Sequence, residues 1–280
     1  MNRINNLPHY QQWFQNRNRS PNTLLNYSLS IKQYGEKNLT TSNLLAYTKK
    51  ALTKYQPASV QLKTAALKSY AKFKQLKLDW ERVASLIPKV QKKFFSTINE
   101  LELSQLKAVQ FEKNHQIYQR NNLILDYLFY SGVRVSELTH LKHSDWEDNH
   151  LKVLGKGNKI RYVFLPNFLI RIINPYSKDY LFTNCHGKQL TREYIVQLIR
   201  KRTKQTQIKK RITPHTFRRS FATLLNSKGA RLTTIQKLLG HSNLETTASY
   251  IHNSWEELYR DYSRLWREPS PAIKAHESPN

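Results

Sequence analysis

With 280 residues and 39% apolar composition, the chain has length and core material for about two packed domains. Its 46 Lys and Arg against 19 Asp and Glu leave a formal charge of +27, more than solubility requires, so a polyanionic partner is expected, nucleic acid in preference to an anionic membrane surface. The single cysteine, Cys185, excludes an internal disulfide and a thiolate zinc cage. No apolar run approaches the ~20 residues of a bilayer span, and the opening MNRINNLPHYQQWF lacks the apolar core of a secretory signal, so a cytoplasmic location and no membrane partner are expected.

Residues 1–90 read as a small helical domain with 15 basic and 3 acidic side chains. Ser20-Pro21 supplies an N-cap and a first-turn proline for a helix carrying Leu24, Tyr27, Leu29, Ile31 and Tyr34. Thr41-Ser42 begins a second helical stretch, which Gln56-Pro57 ends. From Ala58 to Leu76 the residues Leu62, Ala66, Tyr70, Phe73 and Leu76 recur at helical steps and should pack, leaving Lys68 and Lys72 free for phosphate contact. Asp79 caps a short helix through Leu86, and the basic, proline-broken run from Pro88 to Lys93 marks a domain boundary.

A second domain, residues 91–268, should again be mainly α with a small β-sheet. Its helices start near Glu100-Leu101 and run from Ile117 to Tyr130 before Ser131-Gly132 interrupts them. Leu151, Val153 and Leu154, then Ile160, Tyr162, Phe164 and Leu165, predict two short strands around the turn Gly155-Lys156-Gly157-Asn158-Lys159. Beyond Tyr250, Trp255, Leu258, Tyr259, Tyr262, Leu265 and Trp266 form an apolar helix stripe. Residues 269–280, rich in Pro, Ser and Asn, are expected to be a disordered tail.

Several cations stand where a phosphate site would need them. Arg134 follows Gly132 at a helix junction, with Glu137 as a local partner, and its planar guanidinium can donate two parallel hydrogen bonds to phosphate oxygens. Lys156 and Lys159 occupy the glycine turn of the hairpin. His215 and Arg218, three apart at the start of a helix, share a face. His241 follows the helix-ending Gly240, and Tyr250 lies in the next helical segment.

Together these groups suffice for attack of a tyrosine on a phosphodiester. Arg134 and Arg218 would stabilise the charge that builds on the non-bridging oxygens. The Tyr250 phenol, with an ordinary pKa near 10, needs cationic neighbours and a base, for which His215 and His241 are candidates. Lys156 suits the general acid that protonates the departing 5′ oxygen. Exchange of one phosphoester for another needs no nucleotide, and no GxxxxGK[ST] loop is present, so no cofactor is expected. His143, Asp145, Asp148 and His150 could be metal ligands, but an Asp-rich turn before a strand explains them, and no metal is expected.

The segments GVRVSEL, GKGNKIR, HTFRRSFAT and LLGHSNLETTASYIH resemble the tyrosine recombinase (phage integrase) family over about residues 95–255, and the N-terminal helices resemble its core-binding domain. The resemblance implies a simple two-domain, Xer-type or Cre-like member in which Arg134, Lys156, His215, Arg218 and His241 activate a phosphate and Tyr250 is the nucleophile. It implies a site-specific recombinase that clamps double-stranded DNA between its two domains, forms a 3′-phosphotyrosine link and exchanges strands through a Holliday junction in a homotetramer, or in a heterotetramer with a related recombinase. Lys68, Lys72, Lys159, Arg161 and Arg219 are further candidates for DNA contact; Arg219 stands where many relatives carry a second histidine. The apolar stripe after Tyr250 would dock on a neighbouring protomer or pack on its own domain. A type IB topoisomerase shares the chemistry, and a non-catalytic helix-turn-helix regulator would explain Leu232 to Tyr250 but needs neither Arg134 nor Lys156.

Overall fold

The computed structural model describes residues 6–17, 20–35, 37–89, 95–147, 150–154, 160–170, 179–240 and 255–266; Leu154, Ile170 and residues 255–258 are described by backbone alone. Lys156, Lys159, His241, Tyr250 and the 269–280 tail lie outside the described residues. The chain divides into two units, Met1–Lys93 and Phe94–Asn280.

The first unit is helical: α1 (Leu7–Gln15), α2 (Pro21–Tyr34), α3 (Thr41–Lys54), α4 (Pro57–Phe73) and α5 (Trp80–Ser85). Prolines in the first turns of α1, α2 and α4 replace N–H groups that have no helical partner. Thr40 caps α3 and Asp79 caps α5, accepting from the amides of Asn43 and Arg82. Tyr10 of α1 lies at the centre of the core, its ring 5.3 Å from that of Tyr70 and its hydroxyl donating to Ser69 Oγ at 2.9 Å. The buried stripe of α4 departs from the expected one. Val60, Ala66, Leu67, Tyr70 and Ala71 are buried together with Lys63, whereas Leu62 is 46% exposed. Lys63 donates to Gln33 Oε1 and lies over the Tyr55 ring, so its long stem fills the position that an apolar residue was expected to hold.

In the second unit α6 (Glu100–Ala108) opens with a reciprocal cap between Asn99 and Glu102, and α7 (His115–Ser131) ends at Gly132 in the left-handed conformation. The short α8 (Val135–His140) leads into a three-stranded antiparallel sheet, β1 (Trp146–Glu147), β2 (His150–Leu154) and β3 (Ile160–Phe164), in the order β1-β2-β3. The two expected strands are therefore joined by a third of only two residues. Then follow α9 (Asn167–Ile170), α10 (Arg192–Lys204), α11 (Pro214–Ser227), α12 (Leu232–Leu239) and α13 (Trp255–Arg264). Helices α7 and α11 pack side by side over a core that includes Ile124, Leu128, Leu138, Leu151, Ile195 and Phe217.

A separate apolar cluster of Phe164, Phe221, Leu225, Ile235, Leu238 and Leu239 receives Tyr262 of α13. Tyr262 is 1% exposed and its hydroxyl donates to the Tyr130 carbonyl at 3.1 Å, while the Trp266 ring meets those of Tyr130 and Phe168. Within this chain Tyr259, Tyr262, Leu265 and Trp266 of the stripe pack on their own unit. Among the described residues no helix is long and apolar enough to cross a membrane.

Candidate active site

Arg134 is the N-cap residue of α8, two residues after the glycine that ends α7. Glu137, in the first turn of α8, turns its carboxylate back on it. Oε2 accepts from the Arg134 amide at 2.8 Å and Oε1 from Arg134 Nη1 at 2.7 Å. The arginine is thus gripped by its own helix, while 31% of its side chain stays accessible.

Arg218 rises from the second turn of α11, three residues after His215, and is 8% exposed. Its Nη1 donates to the Gly132 carbonyl at 2.6 Å and its Nη2 to the Leu239 carbonyl. Arg161, on β3, is also 8% exposed, with Nη2 on Glu137 Oε2 and Nη1 on the Leu238 carbonyl, each at 2.6 Å. Arg134 Nη2 completes the set at 3.3 Å from the Gly240 carbonyl.

Three guanidinium groups, from α8, β3 and α11, thus occupy three successive carbonyls at the C-terminus of α12: Leu238, Leu239 and Gly240. A helix C-terminus leaves its last carbonyls unpaired and carries partial negative charge, so it both needs donors and favours cations. Gly240 makes the arrangement possible. It holds the left-handed conformation that ends α12, and a Cβ there would stand 2.6 Å from Arg161 Cδ.

The ion pairs of these three cations, among the described residues, are all with Glu137, which leaves an excess of positive charge in a largely dry site. The electrostatics show the consequence. Burial, and then the charges of Arg134 and Arg161, push the Arg218 guanidinium down to about 9, against the opposing pull of Glu137. Burial pulls the Glu137 carboxyl upward, but hydrogen bonds and charge from Arg161 and Arg134 outweigh it and hold the group below the ordinary carboxylate value. His215 is lowered by burial and by the cations of Arg219, Arg192, Arg218 and Arg134, so its imidazole is neutral at pH 7 and can accept a proton. An anion entering here would relieve all of these repulsions at once.

Of the residues proposed from sequence, Arg134 and Arg161 meet on Glu137, Arg218 stands beside them on the Gly132 and Leu239 carbonyls, and His215 lies within their field. Arg219 is exposed with its guanidinium 3.6 Å from the centroid of the Phe95 ring. In the first unit Lys68 and Lys72 are exposed along α4, with Lys68 Nζ 5.9 Å from the centroid of the Trp80 ring. Lys156, Lys159, His241 and Tyr250 are outside the described residues. Among the described residues no group of three His, Cys, Asp or Glu could hold a metal ion. His150, once a possible ligand, is buried edge-on against Tyr162, with the ring centroids 4.8 Å apart.

Two features were not found from sequence: that Glu137 joins two arginines, and that Arg161 points inward. Strand alternation carries the second. Arg161 and Val163 are two apart on β3 and both are buried, so the pleat that buries the valine also buries the arginine.

A predominantly helical unit with a small antiparallel sheet and three clustered guanidinium groups has the fold class of a tyrosine recombinase catalytic domain. Residues 97–257 match the model of the phage integrase family, and the chain belongs to that family. It is 35% identical over 193 residues to tyrosine recombinase XerD of Staphylococcus haemolyticus and equally so to XerD of Staphylococcus aureus, a match that covers 64% of this chain and 65% of each relative. The match thus spans just under two thirds of the length of those relatives. The fold is similar to that of XerH site-specific recombinase bound to difH substrate in a pre-cleavage complex (TM-score 0.63, 25% identity, 90% of this chain and 82% of that one). It is also similar to a lambda integrase (75–356) dimer bound to a COC′ core site (TM-score 0.69, 18% identity, 96% and 98%), a likeness of fold alone.

Proposed function

We propose that this protein is a site-specific recombinase that breaks and rejoins duplex DNA, without a nucleotide cofactor, through a 3′-phosphotyrosine link on Tyr250. The observation that carries the reading is the convergence of Arg134 and Arg218, 84 residues apart, on the consecutive carbonyls Gly240 and Leu239, immediately before His241. The exposed side of Arg134 supplies donors for a non-bridging phosphate oxygen, and the buried, depressed guanidinium of Arg218 gains most from an anion. His215, lowered by burial and by its cationic neighbours, and His241 take up and return the Tyr250 proton, and Lys156 protonates the 5′ oxygen as it leaves. The bond from phosphorus to that oxygen breaks as the bond to the Tyr250 oxygen forms, and reversal by the 5′ hydroxyl of another strand rejoins the DNA.

In this reading the helical unit that precedes the boundary at Pro88–Lys93 is the core-binding domain, and Lys68, Lys72, Lys159 and Arg219 contact the phosphate backbone. The working form is a tetramer on a Holliday junction in the cytoplasm, made of one recombinase or of two related ones. The relatives support this reading: XerH is bound to its difH substrate, and a lambda integrase tetramer is bound to a Holliday junction.

The test is a suicide DNA substrate that traps the covalent adduct on a denaturing gel. The natural chain should form the adduct on a cognate site, and Tyr250→Phe should not. An adduct that survives Tyr250→Phe removes the assigned nucleophile, and its absence on every cognate site leaves a DNA-binding regulator.

A further inference from the structure

We propose that Arg161 is a positioning residue for DNA cleavage: it locks Glu137 to the end of α12, and through them fixes Arg134, without itself touching DNA. The inference rests on the recombinase reading above.

The geometry leaves Arg161 little else to do. It lies on β3, five residues after Lys156 in the sequence, where a basic residue would ordinarily be assigned to DNA. Yet it is 8% exposed, and one end of its fork is on Glu137 while the other is on the Leu238 carbonyl. Its Nε is buried with no acceptor of its own, so no edge of the group is presented to a ligand.

The contacts form a closed circuit. Glu137 Oε2 lies between Arg161 Nη2 and the Arg134 amide, Oε1 holds Arg134 Nη1, and Arg134 Nη2 reaches the Gly240 carbonyl two residues beyond the one that Arg161 holds. Removal of Arg161 opens the circuit on both sides. The carboxylate is left free to turn about its last torsion, and the end of α12 keeps two guanidinium donors in place of three. Arg134 then loses a fixed partner at each end. Lysine cannot substitute, because one ammonium on a flexible stem cannot reach the carboxylate and the carbonyl in the way a planar fork does.

The decisive measurement separates binding from chemistry. In single-turnover cleavage of the suicide substrate at saturating protein, Arg161→Lys and Arg161→Met should be slower by on the order of tenfold to a hundredfold, the scale of a misplaced charged group. Arg161→Lys, which keeps the charge, should bind the same DNA as tightly as the natural chain. Weaker binding with an unchanged rate at saturation would make Arg161 a DNA contact and overturn the proposal. A lowered melting temperature with an unchanged rate would make it a structural residue only, with the same result. A second readout does not depend on activity. Nitrogen-15 spectra of the arginine side chains should show hindered rotation at Arg134 in the natural chain and faster rotation in both variants. Unchanged Arg134 signals overturn the proposal whatever the rates are. If the natural chain forms no adduct at all, the recombinase reading fails by itself, and these spectra still decide whether Arg161 positions Arg134.

Discussion

Gly132 lies so close to Phe221 that a methyl group on its Cα would stand 2.3 Å from Cδ1 of the ring. The residue also has φ +61, so Gly132→Ala meets a steric and a backbone penalty together. Phe221 is buried and cannot swing away, and a loss of about 2–4 kcal/mol is expected in urea unfolding. Gly35→Ala separates backbone from crowding: nothing lies within 4 Å of the added methyl, and at φ +84, ψ −168, a conformation that glycine alone adopts readily, a backbone cost of about 1–3 kcal/mol should remain. Because the Gly132 carbonyl receives Arg218, the first substitution should also slow cleavage and the second should not.

Glu137 gives the site a defined response to acid. Its folded value lies below that of the unfolded chain, so its contribution to stability is complete above the ordinary Glu value of about 4.3 and is lost as pH falls through the lower, folded value. Glu137→Gln leaves Arg161 buried without its counter-ion and should cost about 3–5 kcal/mol near neutrality. Unfolding by urea from pH 3 to 7 should show a difference between the two proteins that is flat above about pH 5 and shrinks below pH 4. A difference that is constant across the range would place the carboxylate outside the pair.

Arg218→Lys should retain much of the charge but lose the fork that links the Gly132 and Leu239 carbonyls. Single-turnover cleavage should fall by about 10²–10³-fold, as for loss of one preorganised donor. A near-normal rate would place the phosphate elsewhere.

If Lys68 and Lys72 neutralise phosphates, replacing each with Ala should reduce the slope of log affinity against log salt by about 1 and weaken binding equally on all sequences. An unchanged slope would make them a solvated face of α4.

Tyr262 anchors α13 in a cluster formed by β3, α11 and α12. Tyr262→Ala should cost about 3–5 kcal/mol, as for other large buried rings. Tyr262→Phe removes the hydroxyl that donates to the Tyr130 carbonyl and should cost about 1 kcal/mol. Thermal unfolding distinguishes the two, and equal losses would assign the effect to the hydroxyl alone.

Much of the helical framework was legible because the punctuation is local. Pro21 opens α2 as a first-turn proline and Asp79 caps α5, signals that need no tertiary partner, while Gln56-Pro57, read as the end of one helix, also begins the next. The residues Arg134, His215 and Arg218 could be singled out because glycine junctions and a helix start stand beside them. What escaped were cations used as core. Helix α10 presents Ile195, Leu198 and Ile199, but its buried stripe is completed by Arg202, at 0% exposure, held by Glu112, Asn122 and the Leu106 carbonyl. Lys63 and Arg161 mislead in the same way, because a periodicity reading assigns charge to solvent. Their burial depends on acceptors 24 to 77 residues away, which no local pattern reveals.

The three arginines on α12 have an implication for timing. The carbonyls they hold belong to the stretch of sequence that runs directly into His241 and, nine positions on, Tyr250. A phosphate that draws Arg134 or Arg218 toward itself weakens their hold on that stretch, and by thermodynamic reciprocity any shift of the stretch alters how strongly the phosphate is held. In the proposed reaction, capture of the phosphate and placement of the residue that attacks it would therefore be coupled through the end of α12.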